Sequence, residues 1–425
     1  LFSKLARFEA VEQLLAQNLE RAQASGSNEE LLNSFLALGS LYQNDLKQIP
    51  AAIDAFEAAH TLEPNSDVCI RALTELYATS SELYSERGIA LHLSRVHHDP
   101  FQAEPYKQLR RLYTEQRRAD AAWCLCQVLN ALGLSSPDED QFYERLKSEG
   151  PAALQEPLSN DDWQALIHPD TDQLITAIFS ALEGIVIAGR AQSLEALGFA
   201  PETAVDTSDS EGSVAHVVVY TAQALGFGVP YVFDGPHLTE AVVPLPADVP
   251  AVALGLPLLD ASASAQASVF VAARALCLLQ PGFRLRHLLT SGTVLKAWLL
   301  AAVKFNSPAF PVPAELVGPV SDALAAIQQQ LPPTAKDDLT RLVAKLIQGA
   351  SELNLKKWIA AIDFTIDRVG FLLSNDLKVA TESIAQANAA EMAPSQDARL
   401  RELIFFAVSE TYFDLRKRLQ LGIDG

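Results

Sequence analysis

The chain has 425 residues, enough for two or three domains, and 49% of them are hydrophobic. Its 52 acidic and 32 basic residues give a formal net charge of −20, which argues against nucleic acid and anionic membranes as partners, because both need a concentrated basic surface. The longest apolar runs are interrupted by proline, glycine or charge, so the sequence predicts no membrane-spanning helix.

The cysteines are too few for a disulfide framework, and they lie inside predicted helices: Cys69, Cys124, Cys126 and Cys277. This usage favours a reducing compartment, and we expect a cytoplasmic protein. The first residue is Leu1 rather than a methionine, so the sequence can be a piece of a longer chain, and its start says little about a signal peptide.

Two helices joined by a short turn are predicted between residues 35 and 64. The first carries Leu38, Gly39 and Tyr42, the second carries Ala52, Phe56 and Ala59, and Pro64 ends the pair. Gly39 and Ala52 are small where the two helices would cross closely, and Tyr42 and Phe56 would fill the adjoining holes. The pattern resembles a tetratricopeptide repeat with one extra residue in the turn at 45–48.

The same pattern recurs twice downstream. A good copy spans residues 106–132 and carries Tyr106, Leu109, Tyr113, Ala122, Cys126 and Leu129; a looser copy carries Ala72, Leu73, Tyr77 and Ala90 and stops at Pro100. Residues 8–24 read as the second helix of a further repeat. Such units bury their apolar faces only by stacking, so the resemblance implies a right-handed solenoid with a concave face.

A boundary is predicted after the repeats. Ser135 or Ser136 can cap a helix that begins at Pro137 and closes the solenoid, and Gly150-Pro151 ends it. We therefore expect a repeat domain over residues 1–150 and a second domain over residues 160–425.

The second domain begins with an amphipathic helix over residues 172–196 and then changes period. Short β-like runs are predicted at residues 215–220, 231–233, 241–243 and 251–254, separated by glycine and proline. An apolar helix follows at 266–279, and nearly everything after Ser291 is predicted to be helical. The expected fold class is therefore mainly α, with an α-solenoid followed by an α+β domain that holds one small sheet.

The segment 358–380 predicts a helix, because its apolar residues recur at three- and four-residue steps. Charges interrupt this stripe: Asp363 and Asp367 lie one turn apart on the same side, and Arg368 is adjacent. A buried unpaired charge is very costly, so these groups must be paired, bound to a ligand or at the surface. A structural Asp–Arg pair and a metal-site helix both fit the pattern.

The order of these elements resembles the zinc-peptidase domain of the gluzincins, the class that includes the HtpX-type proteases. Residues 229–260 are similar to the edge-strand segment that precedes the zinc helix of that family. Residues 358–368 are similar to its later helix, in which a ligand glutamate is followed four residues on by aspartate and often arginine. The resemblance puts Asp363 at the ligand position and Asp367 and Arg368 at the structural pair. An unrelated α+β domain is the alternative.

The chain departs from that family at the decisive motif. Zinc hydrolysis needs HExxH, and the corresponding helix, residues 266–279, contains neither His nor Glu. Arg274 lies there instead, and we predict that it pairs with Asp363 or Asp367 and that its loss costs about 3–5 kcal/mol. The competing arrangement pairs Arg368 with an acid elsewhere and leaves Arg274 to solvent. The domain is therefore expected to be degenerate and non-catalytic, without metal or cofactor.

The sequence favours a scaffold protein whose concave repeat face binds a protein or peptide, expected to be basic or apolar rather than phosphorylated. The alternatives are a metal-dependent hydrolase that uses Asp363, Asp367 and distant histidines, and a solenoid that is helical throughout.

The role of two smaller features stays open. Arg284, Arg286 and His287 form either a solvated face or a contact for an acidic partner, and the aromatic residues between 405 and 413 form either core or a binding patch.

Overall fold

A computed structural model describes residues 2–208, 211–349, 354–387 and 392–423. The chain divides into two compact units, one comprising residues 1–129 and 133–139, and the other residues 130–132 and 140–423. Each unit is described by itself below.

The first unit is built from consecutive α-helices, each of which packs against its neighbours in sequence from α1 to α6. The helices are α1 (Phe2–Ser25), α2 (Asn28–Leu41), α3 (Ile49–Leu62), α4 (Asp67–Ala78), α5 (Ser81–His98), α6 (Ala103–Glu115) and α7 (Ala119–Ala131), and α8 (Pro137–Leu146) follows at the division. The Ser27 side chain accepts the backbone N–H of Glu30 and so begins α2. Ser136 is hydrogen-bonded to the carboxylate of Glu139 at the start of α8, where the sequence predicts a cap.

The crossing of α2 and α3 has the close contact that the small residues predict. A Cβ atom built on Gly39 would lie 2.9 Å from the ring of Phe56. Ala52 and Phe56 belong to a buried apolar cluster that Tyr42 packs against. The extra residue in the turn forms a π-helical segment, Tyr42–Leu46, which ends at Lys47 in the left-handed conformation with φ 57°.

The later copies of the pattern also point inward. Tyr106, Leu109, Tyr113, Ala122, Cys126 and Leu129 are all buried, as are Ala72, Leu73 and Tyr77. The prediction for Ala90 is wrong: this residue is exposed, and Gly88 and Ile89 are buried in its place. The looser copy is therefore offset on α5, where the helix turns a different pair of residues toward the core.

The second unit is a mainly helical body with one small sheet. Its strands are β1 (Tyr231–Gly235), β2 (Val242–Pro244) and β3 (Ala251–Gly255). Its helices are α9 (Asn160–Leu166), α10 (Gln173–Arg190), α11 (His216–Leu225), α12 (Leu256–Leu259), α13 (Ala265–Cys277), α14 (Arg284–Leu288), α15 (Gly292–Asn306), α16 (Val317–Gln330), α17 (Pro333–Gln348), α18 (Leu355–Ser374), α19 (Leu377–Gln386), α20 (Gln396–Ala407) and α21 (Glu410–Arg418).

The sheet has the order β1–β3–β2 and is mixed. β1 runs parallel to β3 with Tyr231 opposite Ala251, and β2 runs antiparallel to β3 with Val242 opposite Leu254. All five residues of the central strand are buried, and Pro244 lies on an edge strand, where its missing N–H is tolerated. The predicted fold class is confirmed, and the alternative of helices throughout is wrong.

The predicted strand at residues 215–220 is wrong, because this segment begins helix α11. A short run of valines does not distinguish a strand from a buried helix by periodicity alone. The buried residues Val218, Val219, Ala222 and Leu225 recur at helical spacing. Gly226 ends the helix in the left-handed conformation with φ 71°.

The predicted helix over residues 358–380 is two helices. Asn375 adopts a left-handed conformation with φ 53° and ends α18, and Asp376 accepts the N–H of Val379 to begin α19. Nearer the C-terminus, α20 and α21 are separated at Ser409, which caps α21. Phe406, Tyr412 and Phe413 are buried, so these aromatic side chains belong to the core rather than to an exposed patch.

Among the described residues, one helix, α10, is long and apolar enough to cross a membrane by length and composition. Its apolar residues Ile175, Ile178, Phe179 and Leu182 are buried in a core cluster of the second unit that also includes Trp358.

Candidate functional site

A groove of about 520 Å³ lies on the first unit. Three successive helices line it: α4 contributes Asp67, Ile70, Arg71, Thr74, Glu75 and Ala78, α5 contributes His92 and Arg95, and α6 contributes Glu104, Gln108 and Arg111. We call it the α4–α6 groove. Three carboxylates and three guanidinium groups line it, so its charge is balanced, although the whole chain carries −20.

His92 is the most buried polar residue that lines this groove, with 1% of its surface exposed. Burial lowers the pKa of its imidazole to about 4, and the charges of Arg95 and Arg111 act in the same direction. The ring is therefore neutral at pH 7. Its Nε2 lies 3.5 Å from the Thr74 hydroxyl, and its Nδ1 is buried without a hydrogen-bond partner.

Gln108 presents a second unsatisfied acceptor in the same groove. Its Nε2 donates to Glu104 at 2.7 Å, and this contact fixes the amide orientation, because a carboxylate can only accept. The Oε1 atom of Gln108 is buried and has no hydrogen-bond partner. The groove thus holds two acceptor atoms that lack donors.

In the second unit, the predicted charged residues meet in a buried cluster. Helices α13 and α18 approach each other closely there: a Cβ atom built on Gly370 would lie 2.8 Å from the ring of Phe270. Arg274 on α13 places its Nε atom 2.8 Å from an oxygen of Asp367 on α18. The predicted pairing between Arg274 and one of these two aspartates is therefore present.

The strongest contact of Asp367 is with a residue that sequence reasoning did not single out. Arg399 on α20 donates from Nε and Nη2 to the two carboxylate oxygens of Asp367, each at 2.7 Å. This is a bidentate, charge-assisted pair. By contrast, the Nε–H of Arg274 is not directed at Asp367 well enough to form a hydrogen bond. The contact between Arg274 and Asp367 is therefore electrostatic only.

Asp363 also has an arginine partner. Arg286 on α14 donates from Nη2 to Asp363 at 3.1 Å. Burial raises the pKa of Asp363, and the charges of Arg286 and Arg274 oppose that shift. The expectation of a basic patch in solvent or on an acidic partner is wrong, because Arg286 and Arg284 are both buried, and Arg284 donates to the carbonyl of Ala247 at 2.8 Å.

Arg368 pairs with an acid elsewhere, which is one half of the competing arrangement; the other half is wrong, because Arg274 contacts Asp367 instead of being left to solvent. Arg368 contacts Glu402, which also lies 3.3 Å from His168 Nε2. Burial alone would raise the pKa of Glu402. The hydrogen bond from His168 and the charge of Arg368 outweigh this effect, so the net shift of the pKa is downward. His168 accepts the N–H of Asp170 at Nδ1, at 3.1 Å, and so presents its Nε2–H to the carboxylate.

These surroundings do not suit a divalent metal. Three guanidinium groups surround Asp363 and Asp367 where a cation would bind, and burial raises the pKa of the nearby Cys277 thiol, which disfavours the thiolate form. Within the part of the chain that the structure describes, no three His, Cys, Asp or Glu side chains are grouped as a metal site needs. Of the distant histidines, His216 lies at the start of α11 and His237 lies in a turn after β1.

Comparisons with protein-family models, with curated proteins and with solved structures found no match.

Proposed function

We propose that the chain is a non-catalytic scaffold protein that binds a peptide segment of a partner in the α4–α6 groove. The observation that carries the proposal is the groove itself, which three consecutive helices line with both charged and unsatisfied polar groups. Stacked helix pairs that resemble tetratricopeptide repeats use such surfaces for extended segments. A groove that has balanced charge and offers both hydrogen-bond donors and acceptors suits a peptide, because each peptide unit carries an N–H donor and a C=O acceptor.

The second unit is, in this proposal, a peptidase-like domain without peptidase chemistry. The support is the chemistry of the cluster: Asp363, which the resemblance puts at the ligand position, and the neighbouring Asp367 are each held by arginine. A guanidinium cannot lose its proton in a protein and so does not make room for a metal ion. The alternative of a metal-dependent hydrolase built on Asp363 and Asp367 gains no support from this arrangement.

We place the protein in the cytoplasm, because its four cysteines are buried in helices and are too few for a disulfide framework. Bulk metal analysis of the purified chain tests the peptidase-like assignment. We expect no metal in stoichiometric amount after dialysis, and one tightly held zinc per chain would overturn it.

Peptide binding is tested by selecting displayed random dodecapeptides on the full chain and measuring the affinity of the selected sequences in solution. Ala78→Trp puts a large side chain into the groove at an exposed position, and we expect it to weaken binding at least tenfold. Ala90→Trp, on the exposed side of α5 outside the groove, is the matched control and should bind as the wild type does. Failure to select any peptide, or equal losses in both variants, would contradict the proposal.

A further inference from the structure

We propose that His92 is a specificity-determining residue of the α4–α6 groove, and that it selects peptides carrying a side-chain carboxamide, Asn or Gln, over acidic, basic or apolar side chains. This inference rests on the proposed function, since it names the group that the groove recognises. It is carried by two buried acceptor atoms, His92 Nδ1 and Gln108 Oε1, both in side chains that line the groove.

The hydrogen-bond network assigns the tautomer of His92. The Thr74 hydroxyl donates its only hydrogen to the carbonyl of Ile70, at 2.7 Å. Its oxygen can therefore only accept from His92 Nε2, which lies 3.5 Å away. The proton of the neutral ring is thus on Nε2, and Nδ1 presents a lone pair. A ligand that supplies a donor removes the cost of leaving this buried acceptor unpaired.

The surrounding charges decide which donor is accepted. Arg95 and Arg111 lie close enough to lower the pKa of His92, so they also disfavour a second cation such as a lysine ammonium beside the ring. A carboxylate offers acceptors alone and leaves His92 Nδ1 and Gln108 Oε1 without donors. An apolar side chain does the same.

A carboxamide matches both requirements. It is neutral, its NH₂ group can donate to either acceptor, and its oxygen can accept from an arginine of the groove. Sites built to bond a polar group reject analogues that lack it, because the buried groups of the site are then left unpaired. The two unsatisfied acceptors are therefore a selectivity device rather than a defect.

The experiment uses the full chain and fluorescent nonapeptide pools that are random except for a central residue fixed as Asn, Gln, Asp, Glu, Lys or Leu. We expect the Asn or Gln pool to bind about tenfold more tightly than the isosteric Asp or Glu pool and the Leu pool, a difference equivalent to about 1.4 kcal/mol. His92→Phe keeps the ring volume and removes the acceptor, so this preference should disappear.

His60→Phe is the matched control. His60 on α3 also has a buried Nδ1 without a partner, but it does not line the groove, so the preference should persist in this variant. If His92→Phe does not fold, as judged by its melting curve, Gln108→Met removes the second acceptor at a half-buried position and should reduce the preference.

The outcomes separate the two proposals. If no pool binds, the proposed peptide-binding function fails. If the pools bind without preference for a carboxamide, or if the preference survives both His92→Phe and Gln108→Met, the peptide function stands and the role of His92 is overturned.

Discussion

Two arginines contact one carboxylate in the second unit, and their geometry differs. Arg399 makes two short hydrogen bonds to Asp367, whereas Arg274 makes an electrostatic contact and keeps 21% of its side-chain surface exposed. Removing Arg399 leaves a buried carboxylate with its weaker partner only. The large penalty that the sequence assigned to Arg274 therefore belongs to Arg399.

We predict that Arg399→Ala lowers the free energy of unfolding by about 3–5 kcal/mol, and that Arg274→Ala lowers it by about 1–2 kcal/mol, because the bidentate pair remains. Urea unfolding measures both. Arg401→Ala, on the same helix and in an ion pair with Asp397 at 2.8 Å whose side chains are 37% and 64% exposed, is the control and should cost at most about 1 kcal/mol. A larger loss for Arg274→Ala than for Arg399→Ala would contradict this assignment.

The buried His92 predicts a pH dependence of stability. Its pKa is lowered from 6.5 to about 4 in the folded chain, so the unfolded chain binds more protons between these values. Stability should therefore fall as the pH drops from about 6.5 to about 4, by about 3 kcal/mol from this residue.

The pH dependence is tested by comparing wild type with His92→Phe, which removes the contribution of His92 and leaves the other titrating groups. As the pH falls below 6.5, wild type should lose unfolding free energy relative to His92→Phe. Above pH 6.5 the difference between the two proteins should be constant. A difference that does not change with pH would show that His92 has an ordinary pKa.

At the scale of the elements, the crossing of α2 and α3 is the contact most directly encoded by the sequence. Gly39→Ala would place a Cβ atom 2.9 Å from the Phe56 ring, and we predict a loss of about 1–3 kcal/mol from this overpacking. Combining it with Phe56→Leu should recover part of that loss, as a double-mutant cycle would measure. Ser40→Ala, at an exposed neighbouring position, should leave the melting temperature unchanged. An unaltered melting curve for Gly39→Ala would mean that the two helices are farther apart.

The elements that the sequence predicted well have local signals. Gly39 on α2 and Ala52 on α3 are small, prolines flank the strands, and Ser136 bonds to Glu139 at the start of α8. The wrong predictions of secondary structure also have physical reasons. The valine run at 217–219 fits a strand or a buried helix equally well, and tertiary packing decides. Asn375 ends α18 without the glycine that usually marks such a stop.

The candidate site was only half predictable for a related reason. Asp363, Asp367 and Arg274 stand out because they interrupt apolar helices. Arg286 and Arg399 lie in mixed polar segments, and nothing local shows that the chain brings them to the acids across 77 and 32 positions. In the groove, His92 gave no signal at all, because an unsatisfied acceptor is a property of its surroundings and not of its sequence neighbours.

At the scale of the whole molecule, each unit has core clusters of its own. The cluster that includes Phe56 is confined to the first unit, and those that include Trp358 and Phe233 are confined to the second. Since local stability follows the contacts within a cooperative unit, a defect in one core should open that unit alone.

We therefore predict that Gly39→Ala and Arg399→Ala accelerate backbone hydrogen exchange in different parts of the chain. Gly39→Ala should act on α2 to α5, whose side chains pack in the core around Phe56, and leave α13, α18 and α20 unchanged. Arg399→Ala should do the reverse, because Arg399 on α20 and Arg274 on α13 both hold Asp367 on α18. Mass spectrometry of peptides from both variants and wild type, exchanged in parallel at one pH, measures this. Faster exchange along the whole chain in either variant would show that the two units unfold as one, because a single cooperative transition spreads any destabilisation over every protected amide.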